Sequence, residues 1–271
     1  MMHAENVDRR ILGAFVCIDG ITSESVVKPV SVNAPQWDVR PSIGGVYVIA
    51  NGPGFARQTT EFIPQPDWPS QPATFEVTLL DPNHRYLPRR ANVKAPLSVP
   101  NIPPAAGAGG NPAALAALAQ SGSVFNPPKV ALYPVASARL GPNWAVIHAS
   151  VTRAGTTPLQ GLPWAVVQVT RDSDNSVLAN GQADFSGEAL LALVGLTIET
   201  NTNGVGPVTL STVAVTVKAY FDPGILDQPT GWIPNPDDIL TNLPNAGLKS
   251  ASASVQLGSG QELFMNFALS V

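Results

Sequence analysis

The side chains able to do chemistry are few: three histidines, one cysteine and nineteen acidic residues in a chain of 271. A single cysteine makes no internal disulfide and no cysteine-rich metal site. Cys17 lies between Val16 and Ile18 in an apolar run, which describes a buried, inert thiol rather than a nucleophile. His3 stands in the terminal tail, His84 in a turn, and His148 inside a strand pattern on the face of Val146 and Ser150. Asp172, Asp174 and Asn175 have the spacing that opens a calcium loop. The later glycine and bidentate glutamate of such a loop do not follow, so a solvated turn fits better. Glu61, Asp67, Glu76 and Asp81 fall too irregularly for a glycosidase pair. No G-x-S-x-G, H-E-x-x-H or phosphate-loop pattern occurs, and AGAGG at 106–110 lacks the strand and helix a nucleotide site requires. The expectation is a chain without catalysis, cofactor or metal.

Charge points the same way. Charged residues make up 13% of the chain and the net charge is −4, so the basic footprint of a nucleic-acid binder is absent. Arg85, Arg89, Arg90 and Lys94 form the one basic cluster, with Tyr86 among them. Two readings stay open: an edge that forms salt bridges with an acidic partner, or a solvated edge strand whose charge blocks aggregation. Trp68 and Trp232 sit in proline-rich loops, where a rigid aromatic either anchors an interface or folds back over its own core. Trp144 and Trp164 begin strands and cap a core.

The elements that position these residues are strands. Short β-branched runs cut by the 23 glycines, 27 prolines and by asparagine replace any helical period. Strands are predicted at 10–18, 26–32, 45–50, 74–80 and 85–94, then at 130–138, 144–152, 164–171, 176–181, 188–194, 208–220, 249–257 and 262–271. In 208–220 the set Val213, Val215, Val217, Ala219 and Phe221 is the more apolar and should face a core. The insertion 222–248 shows no alternation, and Pro236 before Asp237 and Asp238 suits the start of a helical turn. Residues 98–128 carry no charge. Asn111 and Pro112 would start two helical turns there, with Leu115 and Leu118 on one face and Phe125 beyond. The predicted class is all-β, with two β-sandwich modules, 1–97 and 129–271, joined by a Pro/Ala/Gly-rich linker at 98–128. Leu115, Leu118 and Phe125 would dock in a partner's groove.

The stretch V-I-H-A-S-V-T…G-T-T-P-L-Q-G-L-P-W-A-V-V-Q-V-T…A-D-F-S-G-E-A-L-L-A-L, from 146 onward, resembles the carboxypeptidase regulatory-like (transthyretin-like) sandwich domain. Pro158, Leu159 and Gly161 match its first element, and Asp184 and Gly187 its second. Ala183 departs from the usual threonine. The resemblance implies immunoglobulin-like or transthyretin-like sandwich architecture and a scaffold role, with Asp184 and Gly187 closing a turn. The opening F-V-C-I-D-G-I-T and the block F-E-V-T-L-L-D-P-N-H-R-Y-L-P-R-R resemble segments of small proteins of phage tails and contractile injection systems. That implies an assembly subunit of a baseplate, collar or decoration, with other subunits or a second copy as partners. The alternative is a sandwich that binds a glycan or surface ligand. No apolar run reaches a membrane-spanning length. The run Ile11 to Ile18 is followed by no A-x-A-like cleavage site, so the expectation is synthesis in the cytoplasm without a signal peptide.

Overall fold

The computed structural model describes residues 11–28, 30–53, 73–95, 126–196, 212–243 and 245–271. The fold is all-β. Fourteen strands occur among these residues: β1 Gly13–Asp19, β2 Ser31–Asn33, β3 Asp38–Pro41, β4 Val46–Asn51, β5 Ala73–Leu80, β6 Arg89–Ala95, β7 Lys129–Leu132, β8 Ala145–Arg153, β9 Val166–Arg171, β10 Val177–Gln182, β11 Glu188–Leu193, β12 Thr212–Phe221, β13 Lys249–Gly258 and β14 Glu262–Leu269. A five-residue helix, α1, spans Pro236–Leu240.

The chain divides into two units by its internal contacts. One comprises Met1–Ile18, Glu24–Leu79 and Arg90–Ala131, and the other Asp19–Ser23, Leu80–Arg89 and Leu132–Val271. Two short pieces of the first 97 residues thus group with the second unit. They are tied in by backbone bonds from Gly20 to Leu132, from Leu87 to Tyr133 and from Val135 to Arg85. The expected linker at 98–128, with Leu115, Leu118 and Phe125, lies outside the described residues apart from its last three positions. Trp68 lies outside them as well.

The first unit holds the sheets β3-β4-β1-β7 and β2-β5-β6. Phe15 and Cys17 of β1 are fully buried, and Phe15 stacks on Tyr47 at 5.2 Å between ring centroids. The buried Tyr47 hydroxyl donates to the Val30 carbonyl at 2.9 Å, so its polar end is satisfied where the ring is dry. Trp37 stacks on Phe75 at 3.9 Å. Gly52 passes against the Trp37 ring, where a Cβ would collide with it.

The second unit pairs β10-β9-β12-β13 with β11-β8-β14, and one core runs between them. Alternation supplies it. Ile147, Ala149 and Val151 of β8 and Val215, Val217, Ala219 and Phe221 of β12 are all fully buried. The face predicted for 208–220 is therefore the core face over its described part. β8 runs antiparallel to β11 and parallel to β14.

Four local expectations change. The run 26–32 contains a proline, which has no N–H to give a ladder. Only Ser31–Asn33 forms a strand there, with one bridge from Ser25 to Ile18. The strand expected over 85–94 begins at Arg89, because Asp81 to His84 forms a turn and Pro88 interrupts. The strand expected over 130–138 ends at Leu132, and Pro134 keeps one bridge to Tyr86. Asp38–Pro41, too polar to read as a strand, becomes one by pairing with β4.

Candidate functional site

Two aspartates show how the second unit places its surface. Asp19 ends β1 at a Gly20 turn. One carboxylate oxygen accepts the N–H groups of Ile21 and Thr22 at 2.8 and 3.0 Å, the capture expected of an aspartate at a turn. The other accepts the Tyr86 hydroxyl at 2.7 Å. Asp81 is buried in the next turn, where Asn83 and Arg85 donate their N–H groups to it at 2.9 and 3.0 Å. Burial works to raise its pKa, but these bonds, the Asn83 amide and the Arg85 charge together hold it below the usual carboxylate range. The turn ends at His84, exposed and with φ +52°.

These turns floor a cleft of about 470 Å3. Its polar lining is Asp19, His84, Arg85, Tyr86 and Arg139; Trp144, Leu140, Val135 and Ile21 supply the apolar wall. Burial first, and then the hydrogen bond to Asp19, push the Tyr86 hydroxyl pKa well above its ordinary value, so it acts as a fixed donor. Asp19 and Tyr86, 67 residues apart in sequence, meet here.

A second cleft, about 520 Å3, is walled by Trp164, Trp232, Pro163 and Pro229. Its rim carries exposed apolar side chains, Phe185 at 78%, Leu80 at 41% and Leu226 at 41%. Trp232 is half-buried and packs against its own core, so the fold-back arrangement is the one present. Its remaining surface still lines this cleft.

The motif glycines form a clamp. Asp184 accepts from the Ser186 N–H at 2.8 Å, the Ser186 hydroxyl at 2.6 Å and the Glu188 N–H at 3.1 Å. Gly187 has φ +86°, a backbone shape that disfavours side chains. A Cβ on Gly187 would meet the Val151 carbonyl, and one on Gly161 would meet the Ser186 carbonyl. Val151 donates its N–H to Gly187 and accepts from Leu162, each at 2.8 Å. The two motif elements, far apart in sequence, thus grip the end of β8 from two sides.

The basic cluster divides. Arg89 is 1% exposed and pairs with Asp237 at 2.6 Å, with its guanidinium 5.9 Å from the Tyr133 ring centre. An exposed edge reaching for an external acid is therefore corrected for Arg89. A buried guanidinium needs an internal counter-charge, and the first turn of α1 supplies it. Arg90 pairs with Glu76 at 3.0 Å, and Arg85 lies 3.7 Å from Asp81. Burial, and secondarily Asp237, raise the Tyr133 pKa to about 12.

The other candidates resolve simply. His148 stacks on Phe264 and hydrogen-bonds Glu262 at 2.8 Å on a partly exposed face. Asp174 accepts from Ser176 and Arg171 inside its own turn, and its pKa is lowered by those Ser176 bonds. Among the described residues, no group of three His, Cys, Asp or Glu gathers that would hold a metal, and no helix is long and apolar enough to cross a membrane. Sequence reasoning gave no role to Arg139, which lies in a short polar connection without periodicity. Nor did it weigh Asp19, although an aspartate before glycine at a strand end is a turn signal.

No protein-family model matches the chain, and no curated protein matches it. Among solved structures, the Bacillus anthracis TIE protein is similar over 96% of this chain, at 11% identity and a TM-score of 0.27. The match spans about 34% of that protein's chain.

Proposed function

We propose that this chain is a non-enzymatic assembly protein that docks onto other subunits of a large particle of the contractile-injection or phage-tail kind. The observation that carries the proposal is the cleft with Phe185, Leu80 and Leu226 on its rim and Trp164 and Trp232 in its walls. A unit whose core valines and alanines are fully buried leaves these large apolar side chains in water around one cleft. Such concentration marks a surface meant to be covered. Covering Phe185 and Leu226 would contribute about 3–5 kcal/mol before ordering costs. The prolines beside them stiffen the wall and reduce those costs.

The second unit, in this reading, is a sandwich module of the transthyretin-like kind, with the Gly161–Gly187 clamp as its signature. The first unit is its diverged companion. The subunit is made in the cytoplasm and joins the particle there, with a second copy among the admissible neighbours. A glycan or surface ligand is the alternative, favoured by the two tryptophan walls, since sugar rings pack on aromatic faces. The test is Phe185→Asp with Leu226→Asp. Both side chains are exposed, so the variant should keep its unfolding midpoint yet fail to enter particles assembled with tail and sheath subunits. Normal incorporation would overturn the proposal, and binding to a glycan array lost in the same variant would establish the alternative.

A further inference from the structure

We infer that the cleft between Arg85, Arg139 and Trp144 binds a carboxylate flanked by an apolar side chain, presented by a peptide segment of a partner protein. This goes beyond docking through the Phe185 cleft: it concerns a different surface of the second unit, with its own chemistry.

The first argument is charge. A chain with net charge −4 gathers two arginines around one cleft. The single acid lining it, Asp19, has both oxygens engaged, one by the Ile21 and Thr22 amides and the other by the Tyr86 hydroxyl. It therefore faces its own turn and offers the arginines little. Among the described residues no carboxylate lies within ion-pair distance of Arg139, which is exposed. Arg85 is 3.7 Å from Asp81, beyond hydrogen-bond length, and Asp81 is already filled by backbone donors. The Arg85 guanidinium is positioned by the Tyr86 ring, 5.4 Å away, and that ring is in turn fixed through its hydroxyl to Asp19. The planar guanidinium fork matches a carboxylate.

The second argument is the wall. Trp144, Leu140, Val135 and Ile21 present apolar surface next to the cations. A phosphate backbone would call for more positive charge and gains nothing from this wall. A volume of about 470 Å3 suits one acidic and one apolar side chain together. Trp144 itself is seated over Gly141, where a Cβ would lie 2.8 Å from the indole, so the wall is held in place.

The carboxylate has two possible sources, an internal glutamate or a chain terminus, and the test separates them. The full chain is titrated with two peptides while tryptophan fluorescence and calorimetry are read. One is capped at both ends, Ala-Leu-Glu-Leu-Ala; the other ends in a free carboxylate, Ala-Ala-Leu. At least one should bind in the micromolar to low millimolar range. Replacing its carboxylate, by glutamine or by an amide, should weaken binding at least tenfold. Arg139→Gln should weaken it to a similar degree with no change in unfolding midpoint, and 0.5 M salt should weaken it in the wild type. The inference is overturned if neither peptide binds, if the neutral versions bind equally well, or if Arg139→Gln and Arg85→Gln both bind as wild type does. Particle entry of the Phe185/Leu226 variant is read separately, so failure here leaves the assembly proposal standing or falling on its own test.

Discussion

Asp184 and Asp19 are both aspartates that close a turn, and the regions around them are put to opposite uses. At Asp184 one carboxylate oxygen takes three donors from within four residues, and the glycines on either side leave no room for another atom. At Asp19 one oxygen closes the turn while the other reaches Tyr86, 67 residues away, and the arginines beyond stay exposed. The same side-chain chemistry is consumed inside the fold in one place and used to set up a surface in the other. The Asp184 carboxylate and its glycines should therefore carry stability, while Phe185 beside them stays outside the clamp and free to dock; the Asp19 region should carry carboxylate recognition.

The largest loss should come from the clamp. Gly161→Ala and Gly187→Ala each push a Cβ into a backbone carbonyl, and Gly187 also leaves its favoured backbone region. Each should lose about 2–4 kcal/mol in urea unfolding. Wild-type stability in either variant would mean that the grip on β8 is looser than the geometry describes.

The Arg89–Asp237 pair should respond unequally to loss of either partner. Asp237 is half-exposed, so Arg89→Met leaves a carboxylate that water can solvate, and the cost should be about 1 kcal/mol or less. Asp237→Ala leaves a buried guanidinium without that carboxylate and should cost about 2–3 kcal/mol. Equal costs would contradict burial on the arginine side alone.

Asp184→Ala should cost about 1–3 kcal/mol through unmade N–H bonds, with no change in metal content. Loss of a bound metal from a folded variant would make the turn a ligand site instead.

Much of this was legible beforehand. The core face of β12 follows from alternation, Pro236 before Asp237 and Asp238 opens a helical turn at the predicted place, and Asp184 closes the turn to Gly187 as its side-chain chemistry allows. The parts that were not legible depend on partners distant in sequence. Arg89 reads as an exposed edge cation because its neighbours are charged, yet its counter-ion lies 148 residues away. Gln182 sits at the end of β10, fully buried, with neither side-chain polar atom bonded among the described residues. Nothing in A-N-G-Q-A announces a buried amide.

Alkali should weaken the fold through Tyr133. Its folded pKa, about 12, exceeds the usual value near 10, so the unfolded chain loses its proton first. The contribution is complete below pH 10 and declines between pH 10 and 12. Tyr133→Phe should flatten that part of the pH–stability curve, after allowance for the similar slope from Tyr86. The smallest effect belongs to Gln182→Met, which should leave stability unchanged or raise it by up to about 1 kcal/mol, since an unmet amide gives way to an apolar group of similar size.

The most direct measurement of the assembly reading is native mass spectrometry of the chain co-expressed with tail and sheath subunits of such a particle. The account predicts a complex of fixed stoichiometry containing this chain, reduced to free chain by Phe185→Asp with Leu226→Asp while the clamp residues remain intact. A chain that stays monomeric beside those subunits, in wild type and variant alike, would contradict it.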